Sequence, residues 1–85
     1  MAEGVKKVAI VTGSTQGLGE AIARRLVDDA LIQGLVICGR SGANGERLAR
    51  ELSERGCRTE FVRADLAAVE DCRRVVEVAG RLRDS

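Results

Sequence analysis

Uninterrupted apolar runs alternate with one-sided apolar stripes along this chain. The runs at residues 8–11 and 35–38 contain no polar side chain, a pattern typical of parallel strands that are covered on both faces. Between these runs, apolar residues recur every three or four positions, which predicts an amphipathic helix over residues 17–31. Its predicted inward stripe consists of Leu18, Ala21, Ile22, Leu26, Val27 and Ala30. The pattern therefore predicts a strand over 6–11, this helix, and a second strand over 35–38.

The alternation of strand and helix continues to the C-terminus. Residues 40–45 read RSGANG and predict a loop, followed by a helix over 46–55 that Gly56 would end as a glycine cap. Residues 59–64 predict a third strand, less apolar than the others, as expected near a sheet edge. Residues 69–82 predict a third helix. Its apolar face would consist of Val69, Cys72, Val75, Val76 and Ala79.

Three strand–helix units with short connections are typical of the α/β class. Right-handed crossovers would place the strands in a parallel three-stranded sheet of order 3-2-1, covered by three helices. This arrangement is half of a doubly wound Rossmann fold, and 85 residues leave room for one small domain. The first strand would then be an open apolar edge, which predicts self-association or pairing with another chain.

Composition excludes several function classes. The net charge of +1 provides no basic surface for nucleic acid. No apolar run is long enough to span a membrane, and the run after Lys6 and Lys7 is too short for a signal-peptide core, so a cytoplasmic protein is predicted. The chain has no histidine and three widely spaced cysteines, Cys38, Cys57 and Cys72, which predicts packing residues in a reducing compartment and no metal site.

A glycine-rich loop separates the first strand from the first helix. Backbone N–H groups at the start of a helix are unpaired and lie at the positive end of the helix dipole, so a phosphate is the natural ligand there. Gly13 would permit the tight turn, Gly17 the approach of a pyrophosphate to the backbone, and Gly19 the packing of helix on sheet. The alternative is an ordinary strand-to-helix turn, which would not need three glycines.

Three stretches together resemble the N-terminal part of the short-chain dehydrogenase/reductase family. Thr12, Gly13, Gly17 and Gly19 match its TGxxxGxG motif; Cys38, Gly39 and Arg40 resemble the end of its second strand; and Asp65 with Leu66 resembles its adenine-contacting Asp. The resemblance runs from about residue 6 to residue 82. It implies that residues 1–85 form the N-terminal half of an NAD(P)-binding Rossmann domain. The cofactor-binding residues would be Thr12, Gly13, Ser14, Thr15, Gln16, Gly17, Leu18, Gly19, Gly39, Arg40, Ser41, Asp65 and Leu66.

The end of the second strand predicts which dinucleotide binds. NAD sites place a carboxylate there for the ribose 2′-OH, whereas this chain has Gly39 followed by Arg40 and Ser41. Arg40 could form a charge-assisted contact with a 2′-phosphate and Ser41 could add a hydroxyl, so NADP(H) is favoured over NAD(H). The alternative is that Arg40 is a solvated loop residue. Asp65 likewise has two interpretations: a hydrogen bond to the adenine amino group, or a cap of the third helix.

The resemblance does not extend to catalytic residues. In the family a Ser and a Tyr-x-x-x-Lys pair carry the proton transfer that accompanies hydride transfer between an alcohol and a carbonyl compound. This chain contains no Tyr, so no catalytic residue is assigned, and the truncated chain is expected to be inactive alone. The alternative function is a non-catalytic nucleotide-binding or interaction module that pairs through its open sheet edge.

Overall fold

Three parallel strands and three helices make up the fold. The computed structural model describes residues 7–13, 17–40, 42–65 and 67–84. In chain order the elements are β1 (Val8–Thr12), α1 (Gly17–Asp28), β2 (Gly34–Gly39), α2 (Gly42–Glu54), β3 (Arg58–Arg63) and α3 (Val69–Asp84). The sheet has the order β1-β2-β3, which confirms the predicted α/β class and the order 3-2-1. None of the helices in these described ranges is long and apolar enough to cross a membrane.

Strand β2 lies at the centre of the core. Its side chains alternate between two clusters: Leu35 and Ile37 pack with residues of α1 and α2, whereas Val36 and Cys38 pack with residues of α3. Leu35, Val36 and Ile37 have no exposed surface (0% each). The prediction that this strand is covered on both faces is confirmed, because helices cover both faces of the sheet here.

Strand β1 is less covered than its sequence predicts. It extends from Val8 to Thr12 and pairs only with β2 in the described part of the chain. Val11 is buried, but Ile10 is 42% exposed. The prediction of a fully buried strand is wrong because an edge strand has a neighbour on one side only, and the flanking helices cover it incompletely.

Helix α1 is shorter than predicted and presents a different face to the sheet. It ends at Asp28, and Ala30 adopts a left-handed conformation (φ 54°), so the predicted helix end at residue 31 is wrong. Ala23 and Val27 are buried, whereas Leu18 and Ile22 are 77% and 44% exposed. The packed side of α1 contacts the edge strand β1, and apolar residues turned away from that strand remain in solvent.

Helix α3 shows the same rotation of its apolar face. Val75, Val78 and Leu82 are buried, whereas Val69 and Val76, both predicted to face inward, are 71% and 63% exposed. The helix also continues to Asp84, beyond the predicted end at residue 82.

Helix α2 begins at Gly42, so the predicted loop over residues 42–45 is wrong. Gly45 is buried within this helix, where a Cβ atom would lie 2.1 Å from Cε1 of Phe61. This glycine therefore serves close packing rather than a turn. The helix ends at Glu54, and Gly56 (φ 95°) donates its N–H to the carbonyl of Ser53, as a glycine cap does.

Ion pairs join α1 to α2. The Arg24 guanidinium lies 2.8 Å from the Glu51 carboxylate and 2.9 Å from that of Glu20, and Arg55 pairs with Asp28. Arg24 is therefore only partly exposed (29%). Its hydrogen bond holds the pKa of the Glu51 carboxyl below the ordinary value. Two of these contacts, Arg24 with Glu51 and Arg55 with Asp28, link the α1 region to the α2 region.

The buried thiols predict a pH-dependent stability. Burial raises the pKa of the Cys38 thiol, and the Cys72 thiol raises it further. Burial also raises the pKa of the Cys57 thiol, although a hydrogen bond with Thr59 opposes this effect. Because the unfolded thiols ionise first, the free energy of unfolding should fall as the pH rises above about 8.5. Urea unfolding at a series of pH values measures this. The double variant Cys38→Ala/Cys57→Ala should show a flatter profile, and equal slopes would contradict the prediction.

Candidate functional site

The carboxyl ends of the three strands bring those predicted site residues that the structure describes to one edge of the sheet. Thr12 pairs laterally with Cys38, and Cys38 pairs with Val62. The residues that follow these positions, Gly13 and Arg40 among them, therefore lie along the same edge. In open α/β sheets this edge is where ligands bind.

Two glycines of the predicted loop, Gly13 and Gly17, have an unusual backbone conformation. Gly13 and Gly17 have φ angles of 61° and 63°, in the left-handed region that favours glycine. A Cβ atom at either position would meet nothing within 4 Å, so the conformation, rather than lack of space, selects glycine. Helix α1 begins at Gly17; Leu18 is exposed, and Gly19 is half-buried. Ser14, Thr15, Gln16, Ser41 and Leu66 lie outside the described residues.

Arg40 and Asp65 lie close together at the ends of β2 and β3. The guanidinium Nη2 of Arg40 is 3.8 Å from Oδ1 of Asp65, and the two side chains are 85% and 53% exposed. An ion pair this exposed contributes little to stability. Arg40 can therefore leave this carboxylate for another anion at small cost in free energy.

Asp65 organises the turn that leads into α3. Its Oδ1 accepts the N–H of Ala67 at 3.0 Å, and its carbonyl accepts the N–H of Ala68 at 2.9 Å. The hydrogen bond at the start of α3 comes after this turn: the N–H of Cys72 donates to the carbonyl of Ala68. Asp65 thus stabilises the preceding turn and not the helix itself. The described contacts use Oδ1, which leaves Oδ2 able to accept a hydrogen bond from a ligand.

A cavity of about 430 Å³ opens beside this pair. It is lined by Arg40, Arg63, Ala64, Asp65 and Asp71. Sequence reasoning missed three of these residues, Arg63, Ala64 and Asp71, of which two carry a charge. The signal for Arg63 was its place at the end of the third strand, and the signal for Asp71 was an acidic residue in the first turn of α3.

Asp71 is held firmly on the cavity wall. Its Oδ2 accepts the backbone N–H of Asp65 at 2.8 Å, and its Oδ1 lies 3.3 Å from the guanidinium of Arg74. Arg74 also donates to the backbone carbonyl of Arg63. This network joins the start of α3 to the end of β3. The cavity can therefore offer the guanidinium groups of Arg40 and Arg63 to an anion and a carboxylate oxygen to an amino group.

Comparison with known proteins agrees with this geometry. A family model described as short chain dehydrogenase matches residues 7–83. Sex determination protein tasselseed-2 of Zea mays is 42% identical over 73 residues, which cover 86% of this chain and 20% of that protein. The chain thus spans about a fifth of the length of this relative.

Two solved structures superpose closely on the chain. A short-chain dehydrogenase/reductase from Burkholderia phymatum in complex with NAD gives a TM-score of 0.83 at 25% identity, covering 100% of this chain and 30% of that one. The F189W actinorhodin polyketide ketoreductase with NADPH gives a TM-score of 0.81 at 29% identity, covering 98% of this chain and 31% of that one. The family model, the maize relative and these folds agree, and this chain belongs to the short-chain dehydrogenase/reductase family.

Proposed function

We propose that this chain is the NADP(H)-binding half of a Rossmann domain from an oxidoreductase that interconverts alcohols and carbonyl compounds. The observation that carries the cofactor preference is Arg40, which follows a residue without a side chain at the end of β2 and has only a weak ion pair. A carboxylate at position 39 would repel a 2′-phosphate, and a guanidinium at position 40 attracts it. One structural neighbour was solved with NAD and another with NADPH, which supports a nicotinamide dinucleotide of either kind.

Each part of the predicted site would contact one part of the cofactor. The glycine loop from Thr12 to Gly19 would hold the pyrophosphate, because its backbone N–H groups and the start of α1 favour an anion. Gly39, Arg40 and Ser41 would contact the adenosine ribose and its 2′-phosphate. Asp65, through its Oδ2, and Leu66, through its backbone, would contact the adenine ring. When bound, the nicotinamide would supply the hydride.

The 85 residues are proposed to bind this cofactor without turnover. They contain no Tyr, and the family's Tyr-x-x-x-Lys pair has no counterpart in them. Hydride transfer to a carbonyl needs a proton donor for the oxygen, so binding and chemistry would be divided between this half and further chain. The free cysteines Cys38, Cys57 and Cys72 fit a reducing compartment such as the cytoplasm.

The cofactor preference is tested by titrating the chain with NADPH and with NADH. We expect NADPH to bind more tightly, and Arg40→Ala to reduce the ratio of the two affinities by about tenfold, since a charge-assisted hydrogen bond is lost. Arg81→Ala is the matched control, because it removes the same charge from an exposed position near the end of α3. A ratio that Arg40→Ala leaves unchanged would refute the assignment.

A further inference from the structure

Arg63 is a second arginine at the adenosine end of the site, and no motif predicts it. The sheet register pairs Arg63 directly with Gly39, the position that decides between the two dinucleotides. Because Gly39 has no side chain, nothing on β2 separates Arg63 from a ligand at this position. Arg63 and Arg40 line the same cavity.

Among the described residues around the cavity, Arg63 is the cation without an ion-pair partner. Asp65 forms an ion pair with Arg40 at 3.8 Å, and Asp71 forms one with Arg74 at 3.3 Å. The Arg63 side chain is exposed and makes no hydrogen bond or ion pair with a described residue. Three arginines therefore face two aspartates, and the surplus positive charge lies on Arg63.

The start of α2 adds to this positive field. The helix begins at Gly42, close behind Arg40 in the chain, and carries no acidic residue in its first turn. Its dipole is therefore not neutralised by an acidic side chain of its own first turn. Phe61 packs with the cluster on the α2 side of the sheet and Val62 with the cluster on the α3 side, so by strand alternation Arg63 lies on the α2 side.

We propose that Arg63 is the second cation for the 2′-phosphate of NADP(H), so that Arg40 and Arg63 hold this phosphate from two adjacent strands. The inference rests on the proposed function and extends it to a residue outside the family motif. The phosphate carries close to two negative charges at neutral pH, which one weakly paired arginine does not balance. Arg63 can turn to it without breaking an ion pair.

The test compares four proteins, each the full chain: wild type, Arg63→Ala, Arg63→Lys and Arg58→Ala. Arg58 lies at the opposite end of the same strand, so its removal is the matched control for loss of charge from β3. The ligands are NADPH, NADH and adenosine 2′,5′-bisphosphate, and titration calorimetry measures the affinity of each protein for each ligand. We expect Arg63→Ala to weaken the binding of NADPH and of the bisphosphate about tenfold, because a charged contact to phosphate is lost. The binding of NADH should weaken less than about twofold. Arg63→Lys should retain part of the affinity, and Arg58→Ala all of it.

The outcomes separate this inference from the function on which it rests. If Arg40→Ala reduces the preference for NADPH and Arg63→Ala does not, the second cation is refuted and the proposed function stands. Equal weakening of NADPH and NADH by Arg63→Ala would also refute it, because the residue would then shape the cavity rather than recognise phosphate. A wild-type chain without preference for NADPH, or without affinity for either dinucleotide, overturns both.

Discussion

Replacing Gly45 with alanine is expected to lower the free energy of unfolding by about 1–3 kcal/mol, the usual effect of overpacking a core. The added Cβ would lie 2.1, 2.2 and 2.5 Å from three ring atoms of Phe61, so the ring must move. Phe61 packs against the cluster formed by β2, α1 and α2, which limits where it can go. Helix propensity alone predicts the opposite sign, a gain of up to about 1 kcal/mol.

The sign of the change therefore distinguishes packing from propensity. Urea unfolding followed by circular dichroism gives the free energy, and in a domain of this size 1 kcal/mol changes the melting temperature by roughly 4–8 °C. Gly80→Ala is the matched control, because it places a Cβ in the interior of α3 where nothing lies within 4 Å. It should be neutral or stabilising.

A double variant tests the named contact. Phe61→Leu removes the ring atoms that the new Cβ would meet, so Gly45→Ala should be far less harmful in that background than in the wild type. A Gly45→Ala protein as stable as Gly80→Ala, or an unchanged effect in the Phe61→Leu background, would contradict the account. The coupling between the two sites should be about 0.5–3 kcal/mol, as for residues in direct contact.

Local sequence patterns predicted the strands and helices well, but they did not predict how completely neighbouring elements cover each one. The apolar run of β2 is buried because two strands and both helical layers surround it, as its pattern indicates. The equally apolar run of β1 leaves Ile10 exposed. Periodicity identifies the apolar side of a helix, yet it does not say how much of that side a partner covers. Leu18 and Val76 were therefore assigned to the core and lie in solvent.

The residues of the candidate site likewise divide into those that the sequence predicts and those that only the folded structure identifies. Gly13, Gly17 and Asp65 could be predicted from sequence because Gly13 and Asp65 follow strands and Gly17 opens α1, each with recognisable turn chemistry. The signals for Arg63 and Asp71, a position at a strand end and an acidic first turn, do not specify a site, because the place of these residues in the cavity depends on contacts between elements. The lateral pairing of Arg63 with Gly39 and the hydrogen bond from Asp65 to Asp71 exist only in the folded chain.

Four of the exposed large apolar residues lie on β1, beside it, or on the helix α1 that packs on it. Ile10 lies on this strand, Val76 lines a cavity with Lys7 and Val8 beside it, and Leu18 and Ile22 lie on α1, which packs on it. In the described part of the chain, β1 has a strand partner on one side only. The other side presents backbone N–H and C=O groups in a ready template for another strand. This edge is the observation that favours an interaction module as the second candidate function.

Ile10→Lys is expected to weaken self-association of the chain by about tenfold or more, because a charged side chain on an edge strand opposes edge-to-edge pairing. Sedimentation equilibrium over a range of protein concentrations measures the association constant. Leu31→Lys is the matched control, since it removes another exposed apolar side chain (54% exposed) and adds the same charge after α1. Equal weakening by both variants would assign the effect to net charge, and a wild-type chain that stays monomeric at millimolar concentration would rule out pairing through this edge.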